Sequence, residues 1–353
     1  MPLSNNLATD PTLRAALARD VDDPASPDTR RLAEYIATAL GPATAAVIHY
    51  GSRAQQSGAR PESAHDFFVI VDRYGDAYRS LYNTVGPHFR LKTAIALARV
   101  LPPNVLRIVA QLGDTRMQAK CAVLSQAHLE RLCSPRAPDH FTQGRLFQHV
   151  QLVWTRDEAS RDAVVSALVA ARAGTFDWGR PYLPAEFDTE TYCRVLLETS
   201  FAAEIRPEGN ERVAQLLAAQ QDTLARMYGE LLQRLASTRI VKAEGKIYRL
   251  AEPVPSHERL RVRLYFARSK ARATARWGKH IALYDDWLEY IVQKIARRTG
   301  QTIELTARER RWPLLFVWPK ALRFIFSRPQ RTRAVPPVQP PPRDTRRARD
   351  SRR

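Results

Sequence analysis

Two apolar runs separated by a glycine-serine corner constrain this chain more than any other stretch. Ala45-Ala46-Val47-Ile48-His49-Tyr50 ends at Gly51-Ser52. A polar loop from Arg53 to Ala64 follows, and then Asp66-Phe67-Phe68-Val69-Ile70-Val71, which ends at Asp72. Short apolar runs bounded by turn residues read as strands. A helix over Asp28 to Leu40 precedes them. A helix around Lys92 to Val100 and strands over Val105 to Ala110 and Ala119 to Leu124 come after. Short strands alternating with helices make this part of the chain α/β.

From Asp157 the pattern turns helical. The spacing predicts helices over Asp157–Arg172, Asp188–Ala203 (with Asp188 as N-cap) and Glu211–Leu235. Phe176 to Phe187 reads as a connector and Glu244-Gly245-Lys246 as a hairpin turn. The expected organisation is a flexible N-terminus over 1–27, an α/β domain over 28–156 and a helical domain over 157–258. A basic amphipathic region over 259–328 and a disordered Pro/Arg-rich tail over 329–353 complete it.

Charge separates these parts. The formal net charge is +19, yet Met1 to Glu258 carries 30 Lys/Arg against 29 Asp/Glu. From Arg259 to Arg328 the balance is 17 against 5, and beyond it 8 against 2. A neutral body with a basic, aromatic C-terminal part suits an anionic surface, either nucleic acid or membrane. Cys121, Cys133 and Cys193 have no ligand-like spacing, which points to buried thiols in a reducing compartment. No run of about 18 apolar residues and no charged-then-apolar leader is seen, so neither a spanning helix nor a secretory signal is expected.

The glycine-serine corner and the Asp that opens the second strand suggest chemistry on a nucleoside triphosphate. A glycine followed by a hydroxyl and exposed amides lets backbone approach phosphates closely. A carboxylate on the neighbouring strand can ligate Mg²⁺, which shares its shell with substrate phosphates. This is the pattern of polymerase-β-like nucleotidyltransferases, although Gly-Ser is also a common turn. That superfamily places two acids two residues apart, whereas here Phe68 stands two after Asp66. Asp72 lies about 20 Å along the same strand and cannot share a metal with Asp66. A second carboxylate has to come from elsewhere.

Taken together, several short elements in one order resemble the mitochondrial-type phosphatidate cytidylyltransferases, a membrane-peripheral family that makes CDP-diacylglycerol. Tyr50-Gly51-Ser52 and a second strand opening on a single Asp are two of them. Lys120-Cys121-Ala122-Val123-Leu124-Ser125 is similar to the family's Lys-Tyr-Gly-Val-Ile-Ser strand, and Gln143-Gly144-Arg145-Leu146 to its Ala-Gly-Arg-Leu element. Ser200-Phe201-Ala202-Ala203-Glu204-Ile205-Arg206 resembles its Ser-Tyr-Ala-Gly-Asp-Ile-Arg segment, and Arg268-Ser269-Lys270 its late Ser-Lys element. The resemblance covers roughly residues 45 to 275.

The resemblance implies a polymerase-β-like mixed sheet followed by helices, and transfer of CMP from CTP to phosphatidate with Mg²⁺. It implies Asp66 and Lys120 as catalytic residues, and Tyr50, Gly51, Ser52, Arg145 and Arg206 as nucleotide or phosphate contacts. Asp66 and Glu204 are the implied metal ligands. Each has a plainer alternative: Lys120 as a solvated strand-edge lysine, Arg145 as a loop cation paired with an acid, Glu204 and Arg206 as a salt bridge or cap. His49 and His65 are read as hydrogen-bonding strand residues.

At the basic end, Ile281, Tyr284, Trp287, Leu288, Ile291, Val292 and Ile295 recur at helical spacing. Residues 308–328 combine tryptophans and aliphatics with arginines, and Pro313 and Pro319 interrupt them. That composition suits a segment lying in an anionic headgroup region. The expected partners are CTP, phosphatidate and an anionic membrane surface, with nucleic acid less favoured, in a cytoplasmic protein peripheral to a membrane's inner face. The rivals are a nucleotidyltransferase acting on RNA or a small acceptor, and a catalytically inactive lipid-binding protein.

Overall fold

In the computed structural model of the protein, which describes residues 9–58, 63–86, 89–202 and 210–283, a five-stranded mixed sheet forms around its central strand β2 (His65–Val71). β2 pairs antiparallel with β1 (Thr44–Tyr50) and parallel with β4 (Thr115–Ser125). The edges are β3 (Asn104–Leu112), antiparallel to β4, and β5 (Gln151–Thr155), antiparallel to β1, giving the order β3-β4-β2-β1-β5. A strand covered on both faces has no solvated side, which is why Phe67 to Val71 is apolar without alternation. β3 alternates instead: Leu106, Ile108 and Ala110 are buried, whereas Arg107 and Val109 between them are exposed.

Helices cover both faces, so the fold is α/β. On one side lie α2 (Pro27–Leu40), α3 (Tyr74–Val85) and α4 (Leu91–Val100), whose Leu32, Ile36, Tyr78, Leu81 and Ala94 pack on Val47, Phe67, Val69 and Val123. The other face, with Ile48, Tyr50, Phe68, Ile70, Ala122 and Leu124, meets α1 (Pro11–Leu17), α5 (Gln126–Cys133), the short α6 (Gln143–Leu146) and α7 (Glu158–Ala173). The same core continues through α8 (Thr175–Gly179), α9 (Thr189–Ala202) and α10 (Asn210–Ser237) to the hairpin of β6 (Val241–Glu244) and β7 (Ile247–Leu250) and to α11 (Ser256–Leu283). It therefore runs through both the 28–156 and the 157–258 stretches. All these elements belong to one unit, Met1–Asp285.

The helix starts follow their caps. Ser26 Oγ accepts from the Thr29 amide ahead of α2, Asp157 Oδ1 from that of Ser160 ahead of α7, and Asp188 Oδ1 from that of Thr191 ahead of α9. Six elements escape the sequence pattern: α1, α3, α5, α6, α8 and β5. The expectation of a flexible segment through residue 27 is corrected for residues 11–22. Leu13, Ala16, Leu17 and Val21 are buried there, and a 3-10 turn over Arg19–Asp22 delivers Asp20 to a fully buried, bidentate pair with Arg172 of α7 (2.6 and 2.7 Å). So short an apolar stripe carries little periodicity, and its partner lies about 150 residues away in sequence.

The basic region expected from residue 259 begins inside α11, whose inner face is fastened to the body. Arg268 donates to the Ala137 carbonyl, Arg272 to Asp139, Arg276 to Asp139 and the Pro102 carbonyl, and Lys279 to the Leu101 and Pro103 carbonyls. Residues 308–328 lie outside the described residues. Among the described residues no helix is long and apolar enough to cross a membrane. Cys121, Cys133 and Cys193 are free and buried.

Candidate functional site

Strand register sets Tyr50, Asp66, Lys120 and Arg107 in one row across four neighbouring strands. Tyr50 is paired with Asp66 between β1 and β2, Asp66 with Lys120 between β2 and β4, and Lys120 with Arg107 between β4 and β3. Side chains alternate along a strand. Asp66 therefore shares a face with Phe68 and Ile70, and Lys120 with Ala122 and Leu124, on the side of the sheet that meets α5–α7. The row stands at the end of that core, where apolar packing gives way to polar groups.

Gly51 closes the row at β1. Its φ is +81°, a region that disfavours any residue with a Cβ, and a Cβ placed there would come within 3.0 Å of Asp66 Oδ2 and 3.4 Å of Asp66 Cβ. The corner and the carboxylate face each other at van der Waals range. From Gly51 the chain turns tightly: the Gln55 amide donates to the Gly51 carbonyl and the Ser57 amide to that of Ser52 (both 3.0 Å). Arg53 Nε donates to the Ser63 carbonyl, and Arg212 of α10 donates to the carbonyl of Ser57 (2.7 Å), so the Gly-Ser loop is tied to the helical layer. Tyr50 stacks on Phe68, with ring centroids 4.6 Å apart.

Lys120 Nζ lies 3.6 Å from Asp66 Oδ1, and the Lys120 side chain is 57% exposed, which leaves the ammonium open to a ligand. Burial pushes the Asp66 carboxyl above its ordinary value, while the charges of Lys120 and Arg145 pull it back. Arg145, on α6, thus acts on the Asp66 carboxylate. Its guanidinium rests on the Phe141 ring, 3.9 Å from the centroid, and donates to the Phe141 carbonyl (2.8 Å). Arg276 also lies over that ring, at 4.9 Å. Asp139 holds Arg276 and Arg272; burial alone would raise its carboxyl, but these two cations outweigh it and keep it below the usual range.

Elements distant in sequence also meet behind Arg145. His140 is buried, its amide donates to Ser269 Oγ (3.0 Å), and its Nε2 is 3.1 Å from Ser200 Oγ. Gly144 sits on both: a Cβ there would come within 2.7 Å of Ser200 Oγ and 2.8 Å of His140 Cδ2. Gly144, Ser200 and Ser269 therefore converge on His140, Ser200 at its ring and Ser269 at its backbone amide, and burial keeps the imidazole neutral by lowering its pKa to about 3.

Glu204 and Arg206 lie outside the described residues. Asp72, at the far end of β2, is paired with Arg156 (2.6 Å). His49 and His65 fall on the opposite face from Asp66, beside Phe67. Burial lowers each to about 4, and His49 Nδ1 is hydrogen-bonded to Gln151 Oε1 (3.0 Å). Among the described residues no group of three or more His, Cys, Asp or Glu is arranged to hold a metal. Mg²⁺ asks for less, since one or two carboxylates suffice when phosphate oxygens and waters fill its shell. Asp66, facing a glycine corner with no side chain in the way, fits as one such ligand. A pocket of about 270 Å³ lined by Phe176, Arg180, Arg239, Leu250 and neighbours shares no residue with the row.

Sequence reasoning missed Arg107, Phe141, His140, Asp139 and Arg276. Arg107 had a legible signal, a cation on an alternating strand next to the Lys120 strand; the others belong to a loop and a helix that only packing brings together. Compared with known proteins, the chain matches no family model and no curated protein.

Proposed function

We propose that this chain is a nucleotidyltransferase of the polymerase-β-like fold that transfers CMP from CTP to phosphatidate, yielding CDP-diacylglycerol and pyrophosphate. The observation that carries the reading is the approach of the Gly51 corner to Asp66, at a distance where a Cβ would touch the carboxylate, with Lys120 and Arg145 acting on the same group. Such an arrangement suits a triphosphate: bare backbone on one side, a carboxylate beneath, and two cations to offset phosphate charge.

In this mechanism the Gly51 and Ser52 amides and the Ser52 hydroxyl hold the triphosphate. Asp66 would ligate Mg²⁺, which when bound supplies neutralisation of the phosphate charge. Lys120 and Arg145 stabilise charge on the phosphoryl oxygens as an oxygen of the acceptor phosphate attacks the α-phosphorus. The bond from that phosphorus to the bridging oxygen breaks, and pyrophosphate leaves in line. No side chain has to remove a proton, because a phosphate monoester is already anionic near neutral pH. The tryptophan- and arginine-rich sequence of residues 308–328 is suited to bring the enzyme to a lipid that does not leave its bilayer.

The test is incubation of the protein with each labelled nucleoside triphosphate, Mg²⁺ and phosphatidate vesicles. Liponucleotide is expected from CTP, with a loss of about a hundredfold or more in Asp66→Asn. Absence of product with all four triphosphates and folded protein overturns the proposal. Salt-sensitive RNA binding tighter than vesicle binding would point to an RNA acceptor. CTP binding unchanged by Asp66→Asn, without turnover, would point to a non-catalytic lipid-binding protein.

A further inference from the structure

The row across the sheet has a direction, and it ends on a residue that the reaction has not used. From β1 outward it reads Tyr50-Gly51, Asp66, Lys120, Arg107. An in-line displacement keeps the attacking and leaving oxygens on opposite sides of the phosphorus. If the Gly51-Ser52 corner holds the β- and γ-phosphates, the leaving group lies on the β1 side of Asp66. The attacking group then enters from the β4–β3 side, where Lys120 and Arg107 stand.

The geometry points to Arg107, with Lys120, as the subsite that takes the acceptor's phosphate monoester. This rests on the reading of the Gly-Ser corner as the triphosphate cradle. Adjacent strands lie about 4.8 Å apart, so the Arg107 backbone is about two such spacings from that of Asp66, within the span of an extended arginine and a phosphate group. Arg107 is exposed because β3 is an edge strand with one side of its alternation toward solvent. Its Nη2 donates to Gln118 Oε1 (3.0 Å) on β4, which orients the guanidinium along the sheet face. A guanidinium has five N–H donors, so one bond to Gln118 leaves a fork for two phosphate oxygens. An alcohol acceptor has no charge for a second cation to meet. Two cations on the attacking side therefore select a dianionic phosphate over a hydroxyl.

The experiment is a binding titration with dihexanoyl phosphatidate below its micellar concentration, alongside a separate titration with Mg-CTP, each on wild type, R107Q, R107K and R116Q. Arg116 is an exposed arginine farther along β4 and serves as the charge-matched control. R107Q is expected to weaken dihexanoyl phosphatidate about tenfold, R107K to recover part of that loss, R116Q to resemble wild type, and Mg-CTP affinity to be the same in all four. Competition by inorganic phosphate but not by dihexanoyl phosphatidylcholine is expected, because the recognised group is a phosphate monoester. The inference is overturned if wild type does not bind dihexanoyl phosphatidate, or if R107Q binds it as wild type does. It is equally overturned if R107Q loses Mg-CTP to the same extent, if R116Q loses as much as R107Q, or if the choline lipid competes equally. Binding through Arg107 without any liponucleotide formed from vesicles would uphold this subsite and sink the enzymatic reading, so the two fail separately.

Discussion

Replacing Gly51 by Ala tests the contact on which the site depends, and Gly113 supplies its control. Both glycines have positive φ, +81° and +62°. An added Cβ at Gly113 meets nothing within 4 Å, whereas at Gly51 it meets Asp66 Oδ2 at 3.0 Å and Asp66 Cβ at 3.4 Å. Each substitution therefore carries the backbone cost of a Cβ in left-handed space, about 1–2 kcal/mol. Only Gly51→Ala adds a contact that Asp66 must relieve by moving a few tenths of an ångström, a further cost of about 1 kcal/mol or more. For a unit of this size one kcal/mol moves the melting temperature by about 2–4 °C. Gly113→Ala should thus lower Tm by about 2–8 °C, and Gly51→Ala by about 2–4 °C or more beyond that. The larger consequence is functional. A misplacement of about 1 Å can cost about a hundredfold in turnover, so a shift of Asp66 by a few tenths of that is expected to cost about severalfold to tenfold. Thermal denaturation and CTP-dependent liponucleotide formation on both variants measure this. Equal stability losses together with undiminished turnover in Gly51→Ala would refute the argument that this approach organises the site.

Other outcomes follow from the same structure. Arg172→Met should lower stability by about 3–5 kcal/mol, read by urea denaturation, because it leaves Asp20 buried without its bidentate partner. Asp66→Asn should raise stability at pH 7. Burial lifts the Asp66 carboxyl above its ordinary value, so the ionised group opposes folding. That opposition is complete above the folded-state pKa and fades as pH falls through it, so the variant's advantage should shrink toward pH 4. Lys120→Gln removes one of the charges that pull this carboxyl down, and the acid limb of the pH–activity profile should move to higher pH. The buried neutral histidines act on stability from the other direction. Burial holds His49 and His65 at about 4 and His140 at about 3, so the unfolded chain binds protons below about 6.5 that the folded chain does not. Stability measured by urea titration should be full above that pH and fall between pH 6.5 and 4, less steeply in His49→Gln.

Gly144→Ala would probe the convergence behind Arg145. Ser200 and Ser269 reach His140 from helices α9 and α11, the first at its ring and the second at its backbone amide, and Gly144 leaves room for Ser200 and the ring. The Arg145 guanidinium is thereby seated on Phe141 by contacts that begin in three separate parts of the chain. This joins the helical layer to the end of the sheet that carries the Tyr50–Arg107 row, without any of those helices supplying a group to the row itself.

The sequence alone determined the local elements, because they are written in short-range terms. Ala45 to Tyr50 and Asp66 to Val71 are strands since short, mostly apolar runs with β-branched and aromatic residues at their centres stand between turn residues. Asp157 and Asp188 start helices because their side chains satisfy the first free amides. The α/β character and the suspicion attached to Gly51 and Asp66 follow from the same reading. Tertiary structure alone decided who stands beside whom. That β2 pairs parallel with β4 sets Lys120 opposite Asp66, and that β3 forms the edge sets Arg107 next in line; no spacing in the chain encodes either register. The burial of residues 11–22 was illegible for a similar reason, since the Asp20–Arg172 pair joins two charges whose value exists only once both have left water. Periodicity reports a residue's own face; it cannot report the partner that face will meet.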